Sequence, residues 1–455
     1  MYRALSAIAA ILVMATGALA QSANQQPAPR KAVQHVQQGS TDVQISTVSA
    51  RNDMITGGDV LVRIAGKQAS VQGLRITVNG SEATQLFRPA NDGALTGLVS
   101  GLRIGDNVIE VTGPSDLKAS LQVTNYPITG PVFSGPQEQP FVCQTESFTQ
   151  LPGKLGPAKD KECSIDRRVD YFYVNNQNQF RPLTDLSAKP ADMAEMKTAD
   201  GTTVPFVVQL ETGTINRAIY QIAIPHNATA WNRRLLYTFG GGCQGGWYIQ
   251  GKGTGGVLDI PVLSRGYAVA SATLNVFGNN CNDLLASETL MMVKERFIEG
   301  YGLPKVTMGW GSSGGSYQQH QTADNYPGLL DSLFTGSSFP DVGFATIYPA
   351  ADAWLLQMYF SRDGAKWTPA QQRAVSGFGS LGSIQEMTDR AQRINPVADW
   401  DAGVAQELRY SPENPKGARA TVYDHARNVY GTDPRTGFAR RPLDKYVMFF
   451  FPFQF

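Results

Sequence analysis

The chain has 455 residues, 42% of them hydrophobic, and 39 Lys and Arg balance 38 Asp and Glu to a net charge of +1. That length exceeds the usual single domain, so at least two are expected. With no charge excess and no run of one sign, an electrostatic footprint for nucleic acid or an acidic surface is excluded.

Residues 1–20 read as a signal peptide. Arg3 gives the positive start, Leu5 to Thr16 the apolar stretch, and Ala18-Leu19-Ala20 the small-residue cleavage site. The apolar stretch is short for a membrane span, and the chain turns polar from Gln21. Cleavage, export to the periplasm or medium, and no membrane association afterwards are expected; a retained anchor is the alternative. Residues 21–40, rich in Gln, Ala, Pro and Ser, read as a disordered linker.

From 41 to 126 short alternating runs follow one another, among them Val43–Val48, Val60–Ile64, Leu74–Val78, Val108–Val111 and Leu121–Val123. Gly57-Gly58, Asn79-Gly80 and Gly105-Asp106-Asn107 stand between them as turn signals. This spacing predicts an antiparallel, immunoglobulin-like sandwich, serving as a spacer or substrate-presenting module. A Pro/Gly-rich passage, Tyr126 to Pro140, separates it from the rest.

The remainder, 141–455, is read as one α/β domain. Thr203 to Pro225 gives two strand-like runs, then Arg234–Phe239 and Tyr267–Ala272 are buried strands and Asp283–Tyr301 has helical spacing. Lys305–Trp310 is a further strand, Ser316–Asn325 a helix and Leu330–Thr335 the next strand. The alternation predicts a mainly parallel sheet covered on both faces. From about 348 to 444 the pattern is helical and irregular, as a lid would be. Thr368-Pro369-Ala370-Gln371 and Ser383-Ile384-Gln385-Glu386 read as capping boxes, and Trp354, Tyr359, Trp367 and Trp400 are candidate pocket aromatics or packing residues.

Gly311-Ser312-Ser313-Gly314-Gly315 is a G-x-S-x-G pentapeptide between a strand and a helix. A turn that sharp lifts the central serine clear of the sheet edge, so Ser313 is the candidate nucleophile. An oxyanion needs N–H donors. Gly314 N–H is one candidate; Gly241, Gly242 and Cys243, in the run Gly240–Gly246 after the strand ending at Phe239, supply the other. Phe239 stands where such loops commonly carry histidine. The run Gly251-x-Gly253-x-x-Gly256 formally matches a dinucleotide fingerprint, but it lies more than ten residues beyond its strand and opens no helix.

The chain has four histidines, at 35, 226, 320 and 425. His320 is seven residues beyond Ser313 on the expected helix, about 10 Å along it at ~1.5 Å per residue. His425 follows the serine in chain order, with Asp341 and Asp352 as possible orienters, and is the candidate base. Cys143, Cys163, Cys243 and Cys281 allow three pairings; proximity favours Cys143–Cys163 and Cys243–Cys281, and four buried thiols are the alternative. The cysteine spacing and scattered histidines predict no metal site and no cofactor.

From about Thr41 to Asp444 the chain resembles an uncharacterised family of exported bacterial proteins that look like α/β-hydrolases with a β-rich N-terminal region. The segments carrying this are Gly240–Gly246, the pentapeptide, Asp324-Asn325-Tyr326-Pro327-Gly328-Leu329-Leu330-Asp331, and Val429-Tyr430-Gly431 through Arg440-Arg441-Pro442-Leu443-Asp444. More distantly, the pentapeptide and the Tyr-Pro-Gly-Leu-Leu-Asp stretch are similar to tannases and feruloyl esterases. Those carry a cysteine before the serine, where this chain has Ser312. Similar members continue past the equivalent of Asp444, so the Phe-rich ending from Lys445 to Phe455 reads as premature, with the acid, the base and the last core strands expected beyond it. The resemblance implies a secreted serine hydrolase acting on a small-molecule or polymeric ester, with an amide as the alternative, and little turnover for this chain. The competing reading is a non-catalytic exported binding protein on a degenerate hydrolase scaffold.

Overall fold

The computed structural model describes residues 38–39, 43–66, 73–114, 116–227, 229–242, 248–339, 348–363, 366–391 and most of 404–418. The expected signal peptide, His35, Cys243, Asp341, Trp400 and His425 lie outside the described residues.

The alternation between 43 and 126 resolves into two sheets. One runs β1 (Gln38–Gly39), β10 (Lys118–Tyr126), β9 (Gly105–Thr112), β5 (Arg75–Val78), β6 (Ser81–Glu82), with β3 (Ile55–Thr56) added parallel to β10. The other runs β2 (Val43–Thr47), β4 (Val60–Gly66), β8 (Leu95–Val99), β7 (Phe87–Pro89). Side chains alternate across a strand, so Val60, Val62 and Ile64 of β4 meet Ile109, Val111 and Val123 in one core. Asn79 and Gly80, both at positive φ, make the expected tight turn into β6. Gly105-Asp106-Asn107, expected as a turn, instead begins β9. The turn lies just before it, because Asn107 Nδ2 donates to Arg103 O and Gly105 O while its Oδ1 accepts from Arg103 N.

The second region is built on an eight-stranded mixed sheet. Its order is β12 (Phe180–Pro182), β11 (Arg168–Val174), β15 (Val207–Ile215), β16 (Ala218–Pro225), β18 (Ala268–Ala272), β17 (Arg234–Phe239), β19 (Val306–Ser312), β20 (Ser332–Gly336). The last four run parallel, so the expected parallel sheet is present in that half. The first four join antiparallel, two of them (β12 and β11) from a stretch in which no strand is expected. A small hairpin, β13 (Glu195–Lys197) with β14 (Thr203–Pro205), lies beside them. Coverage of the faces is uneven: Trp310 and Phe334, paired across β19 and β20, are 56% and 48% exposed.

Helix α1 (Ile260–Leu263) precedes β18, and α2 (Asp283–Tyr301) precedes β19. Asn282 caps α2 by accepting from Leu285 N. α2 turns two carboxylates toward the N-terminal module and a third toward the passage that follows it. Glu288 Oε2 accepts from the N–H groups of Val132, Phe133 and Ser134 at 2.8, 2.5 and 2.7 Å. Its Oε1 accepts from Ser134 Oγ at 2.9 Å and Asn216 Nδ2 at 3.0 Å. Glu295 accepts from both Thr56 N–H and Thr56 Oγ, and Glu299 from Ser49 Oγ. The Pro/Gly passage that separates the two regions is therefore docked on α2 through Val132–Ser134.

After β20 come α4 (Tyr348–Asp363), α5 (Pro369–Ser376) and α6 (Leu381–Ala391), with α3 (Gly314–Asn325) lying between β19 and β20. The Thr368 capping box forms with Gln371 and starts α5. The second expected box does not: Ser383 lies inside α6, and Ser380 Oγ accepts its N–H. Trp354 and Trp367 are half-buried and Tyr359 is exposed. Cys143–Cys163 is disulfide-bonded as expected; Cys281 is also disulfide-bonded, its expected partner Cys243 lying outside the described residues.

Candidate active site

Ser313 joins β19 to α3. Its backbone sits at φ 56°, ψ −121°, a region that side-chain-bearing residues rarely occupy. Holding a non-glycine residue there costs about 1–3 kcal/mol, and such strain gathers at functional sites. The conformation is enforced from both sides: Ser313 N donates to Gly336 O at 3.0 Å, and Ser313 O accepts from Tyr317 N at 3.1 Å. The residue is exposed, while Gly314 to Gln319 behind it are all buried.

The glycines of the pentapeptide are there for backbone-to-backbone approach. β19 pairs with β17 up to Phe239↔Gly311, and the chain after Phe239 then runs directly beneath the turn. A methyl at Gly314 would lie 2.4 Å from Gly242 O, and one at Gly315 2.7 Å from Phe239 O. Conversely, a methyl at Gly241 would lie 3.0 Å from Ser312 O and 3.5 Å from Ser313 Cβ. No side chain fits between the two segments.

The far side of the 240–242 loop is held by 275–278. Gly240 N donates to Asn275 O at 2.9 Å, Phe277 N to Gly240 O at 3.3 Å, and Gly278 N to Gly241 O at 2.8 Å. Gly242 takes φ +91°, which a side chain would oppose. Thus the carbonyls of Gly240 and Gly241 are turned away from the serine. Gly314 begins α3, so its N–H has no intrahelical acceptor, and the helix N-terminus adds a partial positive charge beside Ser313 Oγ. Of the expected oxyanion donors, Gly314, Gly241 and Gly242 are brought together with Ser313; Cys243 is outside the described residues.

Two residues with no signal in the sequence complete the assembly. Gln318 Nε2 donates to Gly240 O at 3.0 Å and Gly314 O at 3.3 Å. Gln319 Nε2 donates to Gly311, Gly315 and Phe334 carbonyls, and its Oε1 accepts from Phe334 N, tying α3 to β19 and β20. Both are buried amides reaching back over the first turn, and only the folded contacts reveal them.

The described histidines are elsewhere. His320 is exposed on α3, as its spacing from Ser313 predicts. His226 follows β16, which runs antiparallel to β18, so it lies at the opposite rim of the sheet from the C-terminal ends of β17 and β19. There it contacts Gln209 Oε1 and the Tyr171 ring. Asp352 is exposed on α4. The glycines at 251, 253 and 256 open no helix, and Gly255 packs against Thr238 O, where a methyl would lie 2.8 Å away. Among the described residues no group of three or more His, Cys, Asp or Glu side chains is placed to hold a metal ion.

These features define a mixed α/β protein with a serine exposed on a strained strand-to-helix turn, backed by a glycine loop. The tannase-like family of unknown function (DUF6351) matches residues 45–446, and the chain belongs to that family. No curated protein sequence matches it. Two solved structures are similar in part. Tannin acyl hydrolase from Aspergillus niger is 15% identical over 45% of this chain and 39% of its own, with a TM-score of 0.26. An esterase from Aspergillus oryzae is 15% identical over 42% of this chain and 38% of its own, with a TM-score of 0.24. The chain therefore covers well under half the length of either relative.

Proposed function

We propose that this chain is an exported serine hydrolase of the α/β-hydrolase class that cleaves carboxylic esters through an acyl-enzyme. The observation that carries the reading is the strained Ser313 backbone seated on the 240–242 loop. Ser313 Oγ attacks the ester carbonyl and gives its proton to a base. The carbonyl oxygen becomes an oxyanion facing Gly314 N–H and an amide of Gly241 or Gly242. Collapse expels the alcohol, which takes the proton, and water then releases the acid and frees the serine. Each oxyanion donor in such a site is worth about 2.7–4 kcal/mol. The tannase-like family membership supports an ester substrate, small or polymeric, and the leader sequence supports a periplasmic or secreted location. His425 is the proposed base, on chain order alone.

Hydrolysis of a short-chain aryl ester tests this. The expected result is turnover that falls about 10³-fold or more in Ser313→Ala. Turnover unchanged in that variant would refute it. One observation favours a second reading, a non-catalytic binding protein: neither described histidine, His226 nor His320, lies at Ser313. Ser313-dependent turnover excludes that alternative.

A further inference from the structure

We propose that Gln318 is a positioning residue that sets the spacing between the two halves of the oxyanion pocket; the inference rests on Ser313 being the nucleophile. Gln318 stands four residues after Gly314 on α3, so its side chain lies over the first turn. One Nε2 reaches Gly240 O at 3.0 Å and Gly314 O at 3.3 Å, joining the loop to the residue after the serine.

Stability alone does not account for this amide. Gly240 O already accepts from Phe277 N at 3.3 Å, and Gly314 O has the ordinary helical partner four residues on. The added bonds therefore rescue no orphaned carbonyl. Meanwhile Gln318 Oε1 is buried with no hydrogen-bond partner among the described residues. An unmet buried acceptor costs about 1–3 kcal/mol, as much as the two donated bonds return. Its neighbour Gln319 is the contrast: equally buried, it has both ends of its amide engaged and serves to join α3 to the sheet.

What Gln318 adds is geometric. The oxyanion must be met by an amide from each of two segments that lie some seventy residues apart in the chain (240 to 314). A bridging amide fixes their separation, and a misplacement of about 1 Å in such a constellation costs about 10²-fold in rate.

The experiment is the rate of phosphonylation by a fluorophosphonate, in which the Ser313 Oγ–P bond forms and fluoride and the serine proton leave. Gln318→Met, Gln318→Glu and Gln319→Met are compared with the parent chain, with melting temperature and, for an aryl ester, kcat and KM. Gln318→Met is expected to slow phosphonylation and kcat 10- to 100-fold with KM and melting temperature little changed. Gln319→Met is expected to lower the melting temperature instead. Gln318→Glu presents an acceptor to Gly240 O at neutral pH; its rate relative to the parent is expected to recover in acid, where the protonated carboxyl donates again. Parental rates in Gln318→Met, or a Gln318→Glu ratio flat with pH, would overturn the proposal. If Gln318→Met does not fold, the Gln318→Glu ratio decides. No adduct at Ser313 in the parent would instead overturn the hydrolase reading, and this inference with it.

Discussion

Two buried polar seams hold this molecule together, and they are made of opposite materials. The seam under Ser313 is joined, among the described residues, by glycine backbone and two glutamine amides. The seam along α2 is closed by Glu288 against the Val132–Ser134 strap and by Glu295 and Glu299 against Thr56 and Ser49 of the N-terminal module. An amide has no proton to lose in the ordinary range, whereas Glu295 and Glu299, both raised by burial, change with the proton. The difference teaches that the site and the docking of the sandwich answer to different conditions.

The largest expected effect breaks the carboxylate seam. Glu288→Ala removes the shared acceptor of the Val132, Phe133 and Ser134 N–H groups, the last of them buried, and leaves Asn216 Nδ2 only its bond to Thr289 Oγ1. An unmet buried donor costs about 1–3 kcal/mol, and three N–H groups lose the same acceptor here, measured as a shift in the denaturant midpoint. Next comes the neutral seam. Gly314→Ala places a methyl 2.4 Å from Gly242 O, a backbone atom that cannot step aside. Overpacking of this kind costs about 1–3 kcal/mol, and ester turnover is expected to fall more than stability.

The pH dependence sharpens the contrast. Burial pushes Glu299 up to about 8, with Asp59 adding to it against the bond from Ser49 and the charge of Arg296. Glu295 is raised by burial, by Glu299 and by Asp59, against its bonds to Thr56. Folded-state values above the unfolded value of 4.5 mean that the stability these groups contribute is complete below that pH. It is lost as pH rises through the folded value, about 8 for Glu299. Glu299→Gln is expected to flatten the decline between those limits in chemical denaturation. A decline unchanged in that variant would remove Glu299 from the account.

Smaller still is the strain at the elbow. Glycine tolerates φ 56°, ψ −121°, so Ser313→Gly is expected to be about 1 kcal/mol more stable than Ser313→Ala while equally inactive. Equal stability would mean the turn carries no strain.

Much of the frame was legible in the sequence because it is locally encoded. Apolar periodicity marked α2 at Asp283–Tyr301, alternation marked β4, and a strand-like run marked β16. The pentapeptide marked the turn because glycine at 311, 314 and 315 is demanded by contact with Phe239 and Gly242. β11 and β12 were missed because an antiparallel extension borrows its stability from β15 rather than from its own pattern. Asn107 misled because a turn-favouring residue can serve a turn from within the following strand. Gln318 could not be read at all: its meaning lies in a bond to Gly240, seventy-eight residues away.

The most direct test is to expose the folded chain to a fluorophosphonate and locate the adduct by peptide mass spectrometry. A single adduct on the peptide bearing Ser313, absent from Ser313→Ala, is the predicted result. A folded chain carrying no adduct, or one at another residue, would contradict the account.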